Sequence, residues 1–510
     1  MNEHLISLMV FIPLLGALCQ AFLPRMSVGG KGPARDLVGR WTALGASLLA
    51  SVCAIFLVAT MRLHSEIQAH EIFSWVGFYA ISYDMGVDGL NALLILLVAV
   101  IFPVLIAAEW DQKTVPRGMH SLLLVLQTTL FGAVCAQDIF LQFFFFGMSA
   151  LPFYFLIGIW GGEGREQAAF RLIVSSSLGN ALIFAALLIV YHAIDPHSFS
   201  LKELAGGRLS GKMFEVAGYE LSLPALAFGL VGAGLALRAP IWPFHGWFTQ
   251  VAQEAPPSVF VALSAVTVPV ASYVFIRLTY TLFPETLAAV APVIMIVGMI
   301  NLVAGGVCAV AQRSLRLLLA FICIGEVGLI LVGLGSLNPA GVVGAVYQHL
   351  VLGLGLAGFG LFSGLVNQRV GHASFLPEEG DKRPLGGIAV QAPAVAVVAG
   401  VIVASLLGFP GSGGFVGHAL VILGSYSTHP LAALVAAAAF LLATYYLFTM
   451  YRCVFLGSGG TATASFPDLT LRERVYLMPV VACLLLFGLY PKPLLELVRP
   501  TVLTLLSTIK

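Results

Sequence analysis

The residues best placed to do chemistry in this chain are ionisable groups set among apolar ones. Arg238 is the clearest. It lies in the run GAGLALRAPIWPFHGWFTQVAQEAPPS, just ahead of Pro240 and Pro243. Two prolines three apart remove helix hydrogen bonds and break the helix. Carbonyls freed at such a break bind cations or water where they line a cavity. His245 follows the break and adds a group that titrates near neutral pH. Glu254 closes the segment. A kinked helix with a snorkelling arginine and a packing histidine is the plainer reading, but the long apolar run before Arg238 makes snorkelling hard.

A second break lies far along the chain. The run SLLGFPGSGGFVGHALVIL is interrupted at Gly408, Phe409, Pro410 and Gly411, with Gly413 and Gly414 behind them. His418 stands where the apolar pattern resumes. Two Gly/Pro-broken helices at matching places in two halves point to an internal repeat and a transport-type site. Tight helix packing is the other use for those glycines. Glu326 and His349 are two more ionisable residues deep in apolar runs. At membrane depth such groups are functional candidates by default. A hydrogen-bonded, cavity-facing acid is the plainer reading of Glu326.

Those residues need a scaffold, and the composition says which kind. Of 510 residues, 59% are hydrophobic and 10% charged. A soluble domain carries about 25% charged residues. Lipid is therefore the solvent, and an all-α integral membrane fold follows. Apolar runs suggest about fourteen spanning helices, from 4–24 to 474–491, with 388–426 read as a broken pair. The first run lacks a basic leader and a small-residue cleavage site, so it reads as a retained span. Most of the 25 Lys and Arg residues concentrate in alternate loops near 25–40, 113–117, 165–171, 313–316, 369–383 and 452–474. Arg62, Arg277, Lys492 and Arg499 fall in the sparser set. The basic-rich set is expected on the cytoplasmic side, which puts both termini in the periplasm of a bacterial inner membrane.

Other functions are disfavoured. A net charge of +1 offers no basic field for nucleic acid. The seven cysteines are scattered, without a CxxC pair or a Cys/His cluster, so no metal site is expected. There is no phosphate-binding glycine loop and no nucleophile with its base, so no catalytic residue is assigned.

Several motifs then carry a resemblance. WPFHGWFTQVAQEAPPS resembles the PFHxWLPxAHxEAPT stretch of the antiporter-like subunits of respiratory complex I. LPFYFLIGIWGG resembles their P-x-Y-x-L-I-G-I-W-G stretch. Asp84-Met85-Gly86-Val87-Asp88-Gly89-Leu90 is similar to their GxDGLS-type turn. AVAQRSLRLLLAF resembles their A-x-x-DLKRxxAYSS loop, and GFPGSGGFVGH their G-x-P-G-x-x-x-F-x-G-E break. The likeness covers about 80–490 and is nearest the subunit M type of NADH–quinone oxidoreductase.

The resemblance implies fourteen helices with two inverted five-helix repeats. It divides the chain into 1–110 (helices 1–3), 111–280 (first repeat), 281–455 (second repeat) and 456–510 (helix 14 and tail). It implies a proton path in which a fifth-helix Glu pairs with a seventh-helix Lys, and further basic groups lead to the broken twelfth helix. Here the fifth-helix Glu position holds Gly147, and the seventh-helix Lys position holds Arg238. The eighth-helix Lys position falls near Pro269. The loop Lys is Arg316. The eleventh-helix His position falls near Leu352, one turn from His349. The twelfth-helix Glu is His418. Lysine shifts its pKa readily on burial, whereas arginine stays charged. Glu326 is a candidate substitute partner for Arg238.

Two readings follow. In one, protons move through a rewired set of Glu326, His418, His349 and His245, with Arg238 as a fixed charge. In the other, the chain is a degenerate copy that no longer pumps by the Glu/Lys route. The resemblance implies partners among other membrane subunits, including neighbouring antiporter-like ones, and no cofactor of its own. FMN, iron–sulfur clusters and quinone would belong to other subunits. The same fold would serve a multi-subunit cation/proton antiporter, a membrane-bound hydrogenase or an inorganic-carbon uptake complex.

Overall fold

A computed structural model describes residues 4–26, 33–110, 118–205, 209, 211–216, 219–376, 385–457 and 466–509. Of the loop cations that orient the chain, Lys31, Lys113, Arg117, Arg208, Lys382, Arg383 and Lys510 lie outside them.

Long apolar stretches free of interior breaks form the helices. They are α1 (Leu5–Met26), α2 (Pro33–Ala59), α3 (Ala92–Ala108), α4 (Met119–Cys135), α5 (Ile139–Trp160) and α6 (Arg165–Ala193). The first break separates α7 (Leu223–Arg238) from α8 (Gly246–Glu254). Next come α9 (Pro257–Leu282), α10 (Pro284–Val310), α11 (Leu315–Gly335) and α12 (Pro339–Val370). The second break separates α13 (Pro393–Leu406) from α14 (Gly413–Thr428). The chain continues through α15 (Pro430–Phe455), α16 (Leu471–Leu489) and α17 (Lys492–Ser507). Among the described residues nine helices are long and apolar enough to cross a membrane, and ten if α16 and α17, bent by 72°, count as one span. The shorter α3, α4, α7 and α13 are apolar too.

The fold is mostly helical, with an addition that the apolar pattern does not show. Two antiparallel hairpins join helices: β1 (Gln68–Val76) with β2 (Ile81–Val87), and β3 (Met213–Val216) with β4 (Tyr219–Ser222). Aromatic and β-branched residues such as Ile72, Phe73 and Trp75 favour the extended form here. The first hairpin also caps helices. Buried Glu71 accepts hydrogen bonds from the Ile6 and Ser7 amides, and Asp138 from those of Ser82, Phe140 and Leu141.

Arg277, assigned to a loop from the charge pattern, is instead buried inside α9. Its guanidinium meets the Asp88 carboxylate at 2.5 Å and the Gln137 side-chain oxygen. Asp88 also accepts from the Leu90 and Asn91 amides, so one carboxylate holds both the turn before α3 and the arginine of α9. The α17 helix closes over this turn. Gly89 donates to Thr501 Oγ, and a Cβ at Gly89 would collide with the Leu497 carbonyl.

The α10 and α11 helices approach backbone to backbone. A side chain at Gly298, Gly305 or Gly328 would strike the main chain of the neighbouring helix. This contact brings the polar residues of α11 close to both breaks.

The 466–470 segment straps the second broken helix. Asp468 accepts hydrogen bonds from the Ala394, Val395 and Leu469 amides and so caps α13. Arg369 binds the Pro467 carbonyl and the Glu473 carboxylate. Slight burial works upward on the Asp468 carboxyl, but those three amides and nearby Arg474 outweigh it and hold it below its ordinary value of 3.8. A depressed carboxyl adds stability that is complete above the ordinary value and drains away as pH falls through the folded one. Protection factors of the amides around 394–395 should therefore fall on acidification, and Asp468→Ala should show the low protection already at neutral pH. Equal protection at all pH values in both proteins would refute the strap.

Candidate functional site

At the first break, α7 ends with the Ala239 amide bonded to Leu235 O at 2.7 Å. Pro240 and Pro243 then forbid regular helix, and only isolated turns span the gap, such as Phe244 N to Ile241 O at 2.7 Å. Arg238 sits at this end with 6% exposure. It donates to Phe146 O at 2.8 Å and to Ser149 Oγ at 2.9 Å, and its guanidinium lies 4.0 Å over the Phe146 ring. The facing groups are therefore a carbonyl, a hydroxyl and a ring face. Among the described residues no carboxylate pairs with it.

Gly147 lies between those two contacts. A Cβ there would sit 3.3 Å from the Asn180 side-chain nitrogen of α6. Gly147 of α5 thus lies beside Asn180 of α6 and next to the Phe146 carbonyl that Arg238 of α7 binds.

The second break is a tighter turn. Gly408 and Gly411 take positive φ of +64° and +93°, which glycine adopts without strain. The Gly408 turn and the break lay His418 across the gap against α11. His418 Nε2 is 3.1 Å from Glu326 Oε1, and its Nδ1 is 2.6 Å from Gly414 O. Gln348 of α12 donates to Glu326 Oε2 at 2.9 Å. All three side chains are buried. Beside them is a cavity of about 20 Å³, bounded by Gly306 of α10 and by Ala436, Ala439 and Tyr446 of α15. That is room for a single water.

The structure thus gives Glu326 a different partner from the one the sequence suggested. Its oxygens face Gln348 and His418, and Arg238 turns to α5. The remaining candidates spread out. Glu254 accepts from the Gly164 amide at 2.9 Å and caps α6. Arg316 donates to Gln253 O at 2.9 Å, so this pair of residues ties α8 to the start of α11. His245 sits in the first break, edge-on to Phe321 of α11 at 6.3 Å. His349 is 2% exposed inside α12, and its Nε2 finds no protein partner among the described residues. Pro269 lies in α9, just beyond a π-helical turn at Ala262–Thr267.

Reading only ionisable residues missed the neutral ones that join the sites. Asn301 of α10 accepts from the Trp242 amide at 2.7 Å and donates to Ile324 O at 2.6 Å. It links the first break to α11 two residues from Glu326. Ser149, Asn180 and Gln348 were passed over likewise. Their signal was available, since each is a polar residue in an apolar run. Among the described residues no group of three His, Cys, Asp or Glu side chains is placed to hold a metal.

Comparison with known proteins adds findings of three kinds. Residues 136–451 match the family described as NADH:quinone oxidoreductase/Mrp antiporter, TM. The chain is 28% identical to NADH-quinone oxidoreductase subunit M of Mycobacterium tuberculosis (strain CDC 1551 / Oshkosh), over 100% of this chain and 95% of that one. It is 30% identical to NAD(P)H-quinone oxidoreductase chain 4 1 of Picosynechococcus sp., over 95% and 88%. In fold it is similar to a chain of respiratory complex I from Thermus thermophilus (TM-score 0.81, 22% identity, 98% of this chain and 100% of that one). It is also similar to a chain of the Mrp complex from Dietzia sp. (TM-score 0.83, 20% identity, 100% and 99%).

Proposed function

Because the chain belongs to the NADH:quinone oxidoreductase/Mrp antiporter transmembrane family, we propose that it is a membrane-arm subunit of an NADH–quinone oxidoreductase assembly. The end-to-end match to subunit M and chain 4 relatives carries this reading. The work of such a subunit is to couple quinone reduction, done elsewhere in the assembly, to proton movement. The chain itself supplies buried titratable groups and the helix breaks that hold them. Redox cofactors belong to partner subunits.

The finer architecture is part of the same proposal. Counting each of the two broken helices once, the bent α16–α17 pair once, and α3 and α4 as spans, gives fourteen crossings. Helices α4 to α9 form the first repeat and α10 to α15 the inverted second one. Each repeat has its break in the fourth crossing, and this regularity supports the division at 111, 281 and 456. The charge pattern supports periplasmic termini in a bacterial inner membrane.

The two halves differ in what they offer a proton. The first half carries Arg238 with neutral partners and Gly147 in place of an acid, which fits a copy that has left the Glu/Lys route. The second half keeps a titratable pair. Tagging the chain and purifying it from its own membranes in mild detergent tests the assignment. Flavin and iron–sulfur subunits in the purified assembly are the expected result. A set of membrane chains with no redox subunit would overturn it in favour of a cation/proton antiporter.

A further inference from the structure

Resting on that reading, we infer that Glu326 and His418 hold one proton between them as the titratable site of the second half, with Gln348 fixing the carboxyl group.

The argument starts from the repeat. In the first half, the break in α7 reaches back to α5, and Arg238 contacts Phe146 across 92 residues of chain. In the second, the α13/α14 break reaches back to α11, and His418 contacts Glu326 across the same 92 residues. Each site also receives an amide from the third helix of its repeat: Asn180 from α6, Gln348 from α12. Helix for helix, Glu326–Gln348–His418 is the acid–amide–base set that Gly147–Asn180–Arg238 has lost. Both members of the surviving base and acid pair are able to release a proton, unlike Arg238.

Local geometry fixes the number of protons. The Gly414 carbonyl only accepts, so the hydrogen on His418 Nδ1 points to it. In the neutral imidazole, Nε2 then presents a lone pair to Glu326. A 3.1 Å hydrogen bond there needs a proton, either on Glu326 Oε1 or on His418 Nε2. Gln348 occupies the other carboxyl oxygen. With one proton the pair is neutral overall, the least costly state at mid-helix depth. Losing the proton leaves a bare carboxylate, and gaining a second leaves an unpaired imidazolium.

The surroundings isolate the pair. Among the described residues the other titratable groups near it are Cys323, one turn earlier on α11, and Tyr446 of α15. The α10 helix presents Leu302 and Gly306, and α12 presents Gln348. The cavity beside the pair is lined by Gly306, Ala436 and Ala439 and also by Phe440, whose ring lies 6.4 Å from that of His418, while the Leu442 side chain packs against Gly306.

The test uses the purified assembly in lipid nanodiscs and in proteoliposomes. Infrared difference spectra are expected to contain one hydrogen-bonded carboxyl signal that vanishes in Glu326→Gln and shifts in His418→Gln. Quinone reduction should continue in Glu326→Gln while the proton-to-electron stoichiometry falls. The exchange Glu326→His with His418→Glu should restore both readouts. A carboxyl signal or a stoichiometry unchanged in Glu326→Gln overturns the proton-holding pair. Subunit composition of the same preparation reports separately on the complex assignment.

Discussion

Replacing Asp88 with Ala is expected to cost the chain about 3–5 kcal/mol, because it strands a buried arginine. Arg277 would keep only the neutral Gln137 oxygen inside α9. The same change removes the acceptor for the Leu90 and Asn91 amides, so the turn ahead of α3 loosens with it. Arg277→Met should cost less, since a neutral side chain of similar length needs no counter-charge. The double variant Asp88→Ala with Arg277→Met should be more stable than the sum of the single effects, because neither charge is left alone. Thermal unfolding of the four proteins in one detergent measures this. Strictly additive effects would show that the two charges are not energetically coupled.

Gly147→Glu is expected to act in the opposite direction. It places a carboxylate between the two groups that Arg238 already touches, Phe146 O and Ser149 Oγ. A hydrogen bond to a charged group is worth about 1.5–3 kcal/mol. A further ~0.5–1 kcal/mol comes from replacing a mid-helix glycine. Against this, the new Cβ would stand 3.3 Å from the Asn180 amide, which must give slightly. Gly147→Leu meets the same crowding without the charge and should destabilise. The diagnostic result is the difference between the two variants in melting temperature. Equal losses in both would mean that the site has no room for an acid, and the vacancy reading of the first half would fall.

Much of this was legible in the sequence, for physical reasons. Proline and glycine interrupt helices wherever they occur in such patterns, so both breaks were visible at Pro240 and at Gly408 to Gly411. Charges in apolar runs are rare enough that Arg238, Glu326 and His418 stood out. What the sequence did not show was partner choice. Glu326 suits either Arg238 or His418 by charge, and only the packing of α11 against the second break decides between them. Arg277 looked like a loop cation because a one-dimensional count does not see Asp88 across 189 residues. The hairpins were hidden because their residues pass equally well for apolar loop. Asn301, Gln348 and Asn180 were overlooked because an amide carries no charge to flag it, although each sits at a junction.

The clasp of α17 over the Gly89 turn bears on how the chain is made. Gly89 and Thr501 are 412 residues apart, so the turn leaves the ribosome long before its cover exists. Throughout that interval the Asp88 turn has to remain in the membrane with one side bare. The side of the turn at Gly89 is covered only once α17 has been made. A messenger cut short before the codons for α17 would thus yield a chain with most of its spans inserted and an early turn permanently uncovered, a form that quality-control proteases are suited to recognise.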